Sequence, residues 1–147
     1  MHLHYLCTGN VFRSRLAESY TNYLIKTKNI SDLSVSSSGV LASSNEYGPL
    51  AWFAKEVLNQ NNLLAYASPA WIQTSPEILK SPDLIIFMTP YHLQFCQTHF
   101  GFSGTNYQIW HIEDIDSFTP NPVTFTQDTF TLIKSKVDQL LSNLPLK

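Results

Sequence analysis

The run Cys7-Thr8-Gly9-Asn10-Val11-Phe12-Arg13-Ser14 places a thiol ahead of an arginine–serine pair, with five residues between. Residues of these types at this spacing make an oxyanion cradle. The backbone N–H groups of Thr8 to Phe12, in a tight loop before a helix, converge on one tetrahedral anion. Gly9 is expected to supply the conformational freedom such a loop needs. Asn10 is expected to hold the loop through its side-chain amide. Arg13 offers a planar fork to two phosphate oxygens. Cys7 faces the same positive field, which favours thiolate over thiol and makes the sulfur a nucleophile toward bound phosphorus. Ser14 can donate a hydrogen bond to that sulfur and improve it as a leaving group.

The cradle requires a strand before it and a helix after it, and the flanking residues supply both. Leu3 to Leu6 reads as a short strand, and Ser14 to Lys26 as a helix with Leu16, Tyr20, Tyr23 and Leu24 on one face. Asp32 to Ser37 alternates as a second strand, and Gly39 to Pro49 is a polar loop. Pro49 to Asn59 reads as a helix with Pro49 in its first turn. Pro76 to Lys80 reads as a short helical piece. Leu84 to Met88 is apolar throughout, as a strand covered on both faces should be. Pro90 to His99 reads as a helix, Tyr107 to Trp110 as a strand, Ile112 to Pro122 as an acidic loop, and Val123 to Leu144 as a closing helix.

Strand and helix thus alternate along 147 residues, a length that suits one domain. The expected fold is α/β: a single domain, residues 1–147, with a four-stranded parallel sheet and helices on both faces. Such sheets place their sites at the carboxyl ends of strands, where Cys7 falls.

Composition narrows the function. The net charge is −2, and Arg13 and Arg15 are the only arginines, so no basic face for nucleic acid is expected. Leu84 to Met88 is the longest strongly apolar stretch and is too short to span a bilayer. Cys7 and Cys96 cannot build a disulfide framework, and no basic–apolar leader opens the chain, so a cytoplasmic setting is expected. The five histidines show no metal spacing. His2 and His4 alternate on the first strand, on what is expected to be an edge, where packing or solvent explains them better than a metal. No metal or other cofactor is expected, and oligomeric state has no signal in the sequence.

The N-terminal run LCTGNVFRSRLAE resembles the strand, Cys-x-Gly-Asn-x-x-Arg-Ser loop and Ala-Glu of the low-molecular-weight protein tyrosine phosphatase family. Weaker agreement continues in the same order through Val35 to Gly39, Gly48-Pro49, Asp83 to Met88 and Ile115-Asp116-Ser117-Phe118. The resemblance implies a metal-free phosphate monoesterase acting on a phosphotyrosine-containing protein or another aryl phosphate, with inorganic phosphate as product. It implies attack by Cys7 and transition-state stabilisation by Arg13. It also implies an aspartate that protonates the leaving oxygen and then activates water. Asp116 is expected to be that acid because Phe118 follows it at the family's distance; Asp114 is its rival, and Ser117 stands where the family has proline.

Ser37 resembles the serine that ties the second strand to the loop, with Ser36 and Ser38 as alternatives of register. Tyr47 or Phe118 is expected to contact the aryl group, since Asn45 occupies the family's aromatic position; Phe12 is expected in the pocket floor. Phe12 also replaces the second loop cysteine of many members, so reversible disulfide protection of Cys7 is not expected, and Cys96 reads as a core thiol. Two other functions compete: a thiol-dependent arsenate reductase, which needs further relay cysteines, and a catalytically weak phosphotyrosine-binding module.

Overall fold

The computed structural model describes residues 1–146. Its strands are β1 (His2–Cys7), β2 (Ser34–Gly39), β3 (Leu84–Phe87) and β4 (Tyr107–Ile109), and its helices α1 (Arg13–Thr27), α2 (Trp52–Gln60), α3 (Pro90–Phe100) and α4 (Pro122–Asn143). The four strands form one sheet in the order β2-β1-β3-β4, and every pairing is parallel. Hence β1 is central and His2 and His4 do not lie on an edge. Their nitrogens meet Ser36 Oγ, each at 2.7 Å, and His4 Nε2 also meets Ser38 Oγ at 2.7 Å.

The period-2 alternation of side chains sorts the core into two layers. Leu3, Tyr5 and Cys7 of β1 and Leu84 and Ile86 of β3 face a layer completed by Leu16, Phe53, Val57, Phe130, Ile133 and Val137 from α1, α2 and α4. Leu6, Ile85 and Phe87 face the other layer, with Leu93 and Cys96 of α3. Burial of each large aliphatic or aromatic side chain contributes about 1.5–3 kcal/mol, so these two layers fix the sheet against both sets of helices.

The structure departs from the sequence reading most at residues 49–51 and 76–80. Helix α2 starts at Trp52, three residues after Pro49. The Pro49 carbonyl accepts from Arg15 Nη1 at 2.9 Å, and Ala51 is extended, its N–H donating to Val11 O at 3.0 Å. Those contacts draw residues 49–51 toward the loop after β1 and delay the helix. Residues 76–80 form turns, not a helix. Helix α3, by contrast, has clear signals: Pro90 in its first turn, a reciprocal cap between Thr89 and His92, and Gly101 in the left-handed conformation at its end (φ 66°).

Candidate active site

The loop between β1 and α1 lies at the carboxyl edge of the sheet. Cys7 closes β1, Arg13 opens α1, and both are almost fully buried. A cleft of about 270 Å³ opens above them, lined by Cys7, Thr8, Gly9, Val11, Phe12 and Arg13 and walled by Asn45, Tyr47, Asp114 and Ile115.

The loop is held from below by a directed chain of hydrogen bonds. The Asn10 amide donates to Ser14 Oγ at 2.7 Å and to Ser37 Oγ at 2.9 Å. Ser37 in turn donates to Glu18 Oε1 at 3.1 Å. Since Ser14 Oγ accepts from Asn10, its one proton is free for Cys7 Sγ, 2.9 Å away. Of the three consecutive serines Ser36, Ser37 and Ser38, Ser37 is therefore the one under the loop; Ser36 and Ser38 join the histidines on the other side of the strand.

Steric demand falls on other residues than expected. Gly9 does not take a left-handed conformation; Asn10 does, at φ 54°, which asparagine tolerates. The glycine with no room for a side chain is Gly39. A Cβ there would lie 2.5 Å from Thr8 O and 2.7 Å from Asn10 N. The end of β2 thus presses directly on the backbone of the loop.

Arg13 is aimed by three partners. Its Nη1 donates to Ile112 O at 2.9 Å, and its Nη2 stands 3.2 Å from both Thr8 Oγ1 and Asp114 Oδ2. Asp114 therefore reaches the guanidinium from the rim. Asp116 does not line the cleft: its Oδ1 accepts from the Phe118 N–H at 2.8 Å and closes a turn with Thr119. Phe118 projects into solvent, 89% exposed. The sequence places both residues at the site, and in the structure neither lines the cleft. Tyr47 does line the cleft, its ring 5.4 Å from Phe53, and Phe12 lines it while packing 5.3 Å from Phe53.

Arg15, Glu18 and His92 were not singled out from the sequence. Arg15 is completely buried and donates to Asn10 O at 3.2 Å, to Pro49 O and to Ser68 O. It joins three segments and lies 3.8 Å from Glu18. Burial pulls the Arg15 guanidinium down and pushes the Glu18 carboxyl up, and their mutual attraction, with Ser68 and Ser37 on the carboxylate, opposes both. Arg15 and Glu18 are three apart on one helix face, a spacing that pairs opposite charges, and this was the available signal. Cys96 lies on the far side of the sheet from Cys7, fully buried, and burial pushes its thiol up to about 12.

A buried cysteine and a buried arginine at the two ends of one loop, with a carboxylate at the rim and a parallel sheet behind, match the site of a cysteine-dependent phosphatase. Residues 2–146 match the family model described as low molecular weight phosphotyrosine protein phosphatase, and the chain belongs to that family. It is 30% identical over 148 residues to a low molecular weight protein-tyrosine-phosphatase of Staphylococcus haemolyticus, a match covering 97% of this chain and 99% of the relative. It is 31% identical over 103 residues to the protein-arginine-phosphatase of Bacillus subtilis, covering 69% and 64%. The crystal structure of a low molecular weight protein tyrosine phosphatase from T. tengcongensis superposes with a TM-score of 0.81 at 24% identity, over 98% of this chain and 99% of that one.

Proposed function

We propose that the cleft hydrolyses phosphotyrosine in proteins, and related aryl phosphates, through a phosphocysteine on Cys7. The observation that carries this reading is the convergence of Cys7, Arg13 and Asp114 on one cleft whose lining includes Tyr47, Phe53 and Ile115. Cys7 Sγ attacks phosphorus as the bond to the phenolic oxygen breaks. Asp114 gives its proton to that oxygen, and the phenol leaves. Water then attacks the phosphocysteine while Asp114 takes its proton. The P–S bond breaks, inorganic phosphate departs, and the Ser14 hydroxyl stabilises the returning sulfur anion. The amides of Thr8 to Phe12 and the Arg13 guanidinium hold the equatorial oxygens throughout. No step calls on a metal or other cofactor.

Tyr47 and Ile115 flank the cleft and suit a flat phenyl ring better than a short alkyl phosphate. The setting we propose is the reducing cytoplasm, since the first step consumes a free thiolate and both cysteines are free. Against arsenate reduction, the one other thiol, Cys96, is buried on the opposite face of the sheet and unsuited to a relay. Against a mere binding module, Asp114 supplies the acid that binding alone would not need.

A second reading, phosphoarginine hydrolysis, is favoured by the likeness to the Bacillus subtilis protein-arginine-phosphatase and by Glu46 in the cleft wall, opposite in charge to a guanidinium. The test is kcat/KM on matched peptides carrying phosphotyrosine, phosphoserine or phosphoarginine. Phosphotyrosine is expected to be turned over fastest; preference for phosphoarginine reverses the order, and turnover of none of them contradicts both.

A further inference from the structure

His92 lies 84 residues from Thr8 in sequence, yet its Nε2 stands 2.9 Å from Thr8 Oγ1. The ring is almost fully buried at the start of α3. Its tautomer follows from its partners. Nδ1 is 3.1 Å from the Thr89 backbone N–H, which can only donate, so Nδ1 accepts. Burial and then the charge of Arg13 push His92 down to about 3, so the ring is neutral and its one proton is on Nε2. Nε2–H therefore donates to Thr8 Oγ1.

Arg13 Nη2 also donates to Thr8 Oγ1, at 3.2 Å. With two donors on its oxygen, the Thr8 hydroxyl has its own proton left to give. Thr8 lines the cleft. We propose that His92 is a positioning residue of the phosphoryl site: it holds Thr8 Oγ1 as an acceptor shared with Arg13, which leaves the Thr8 hydroxyl facing the cleft as a donor to a phosphoryl oxygen. The device orders one hydroxyl and one guanidinium at once. It rests on the reading of this cleft as a phosphoryl site.

Inhibition by inorganic phosphate, with para-nitrophenyl phosphate turnover as the signal, tests it. His92→Asn keeps an acceptor for the Thr89 N–H and loses the donor to Thr8; His92→Gln carries an N–H far enough to reach Thr8. Thr8→Val and His92→Asn are each expected to raise the phosphate inhibition constant about three- to tenfold. The double variant is expected to be no worse than the weaker-binding single one, because both remove the same interaction. Thr8→Ser and His92→Gln are expected to restore binding to within about twofold of wild type.

A role for His92 in capping α3 alone predicts the opposite: His92→Asn binds phosphate normally and His92→Gln is the impaired variant. That result, or additive effects of Thr8→Val and His92→Asn, overturns the proposal. If the His92 variants do not fold by circular dichroism, Thr8→Val decides, a raised constant supporting the proposal and an unchanged one overturning it. Wild-type protein insensitive to phosphate overturns the phosphatase reading as well; normal inhibition of wild type and all variants overturns only the role of His92.

Discussion

Arg13 Nη2 and Asp114 Oδ2 stand 3.2 Å apart, with the guanidinium buried and the carboxylate about half exposed. In the proposed reaction the buried partner binds phosphoryl oxygens, and the exposed partner sits at the mouth, where the leaving oxygen would depart. Asp114→Asn is expected to slow phosphotyrosine peptide turnover by about 10²–10⁴-fold, the range for a lost general acid. Asp116→Asn is expected to change it less than about threefold, because Asp116 closes a turn with Phe118 and Thr119. On para-nitrophenyl phosphate, whose phenol leaves without help, the Asp114→Asn loss is expected to shrink. Steady-state kinetics on both substrates checks this; a larger loss from Asp116→Asn reverses the assignment.

Arg15 binds the loop after β1, residue 49 and residue 68 together from inside the protein. Arg15→Ala strands Glu18 in a buried site and leaves three carbonyls without their donor. A cost of about 3–5 kcal/mol is expected, as for breaking a buried pair from one side. Thermal unfolding should show a fall in Tm on the order of 10 °C. An unchanged Tm contradicts the role given to Arg15.

Gly39 and Gly9 separate steric need from conformational freedom. Gly39→Ala drives a Cβ into Thr8 O and Asn10 N, both backbone atoms that cannot yield cheaply. A loss of more than about 2 kcal/mol is expected, in the range of overpacking. Gly9→Ala meets only Val11 Cγ2 at 3.4 Å and Asn45 Cβ at 3.5 Å and is expected to fold with nearly wild-type stability. Chemical denaturation of the two variants gives the comparison.

His4 and His92 are both buried, and burial is the main cause that pushes each down to about 3; His2 adds to it for His4 and Arg13 for His92. The unfolded chain binds protons on both near pH 6.5, where the folded chain does not. Stability is therefore complete above about pH 6.5 and falls as the pH drops toward 3, each histidine contributing up to about 1.4 kcal/mol per pH unit. Urea unfolding between pH 4 and 8 measures this. His92→Asn is expected to flatten the slope by one proton's share.

The alternation of strands and helices was legible because Leu3 to Leu6 and Leu84 to Met88 carry the apolar period of buried parallel strands. The grouping of Cys7, Arg13 and Ser14 was legible because the three lie within one local strand–loop–helix unit. What escaped is long-range. No local pattern tells that Arg15 reaches Pro49 and delays α2, or that the end of β2 crowds the loop at Gly39. Asp114 and Asp116 differ in the way the chain turns at Phe118, and spacing from an aromatic residue does not report that turn. His92 carries a local cap signal with Thr89, but its second bond, to Thr8, comes only with the tertiary fold.

The proposed reaction passes through a covalent bond between Cys7 sulfur and phosphorus. Acid quench of wild-type protein during phosphotyrosine peptide turnover, followed by mass analysis of its fragments, looks for that bond directly. The predicted result is a mass increase of one phosphoryl group on the fragment holding Cys7, absent when Cys7→Ala replaces the thiol and turnover stops. Turnover that survives in Cys7→Ala, or a phosphoryl group found only on another residue, would contradict it.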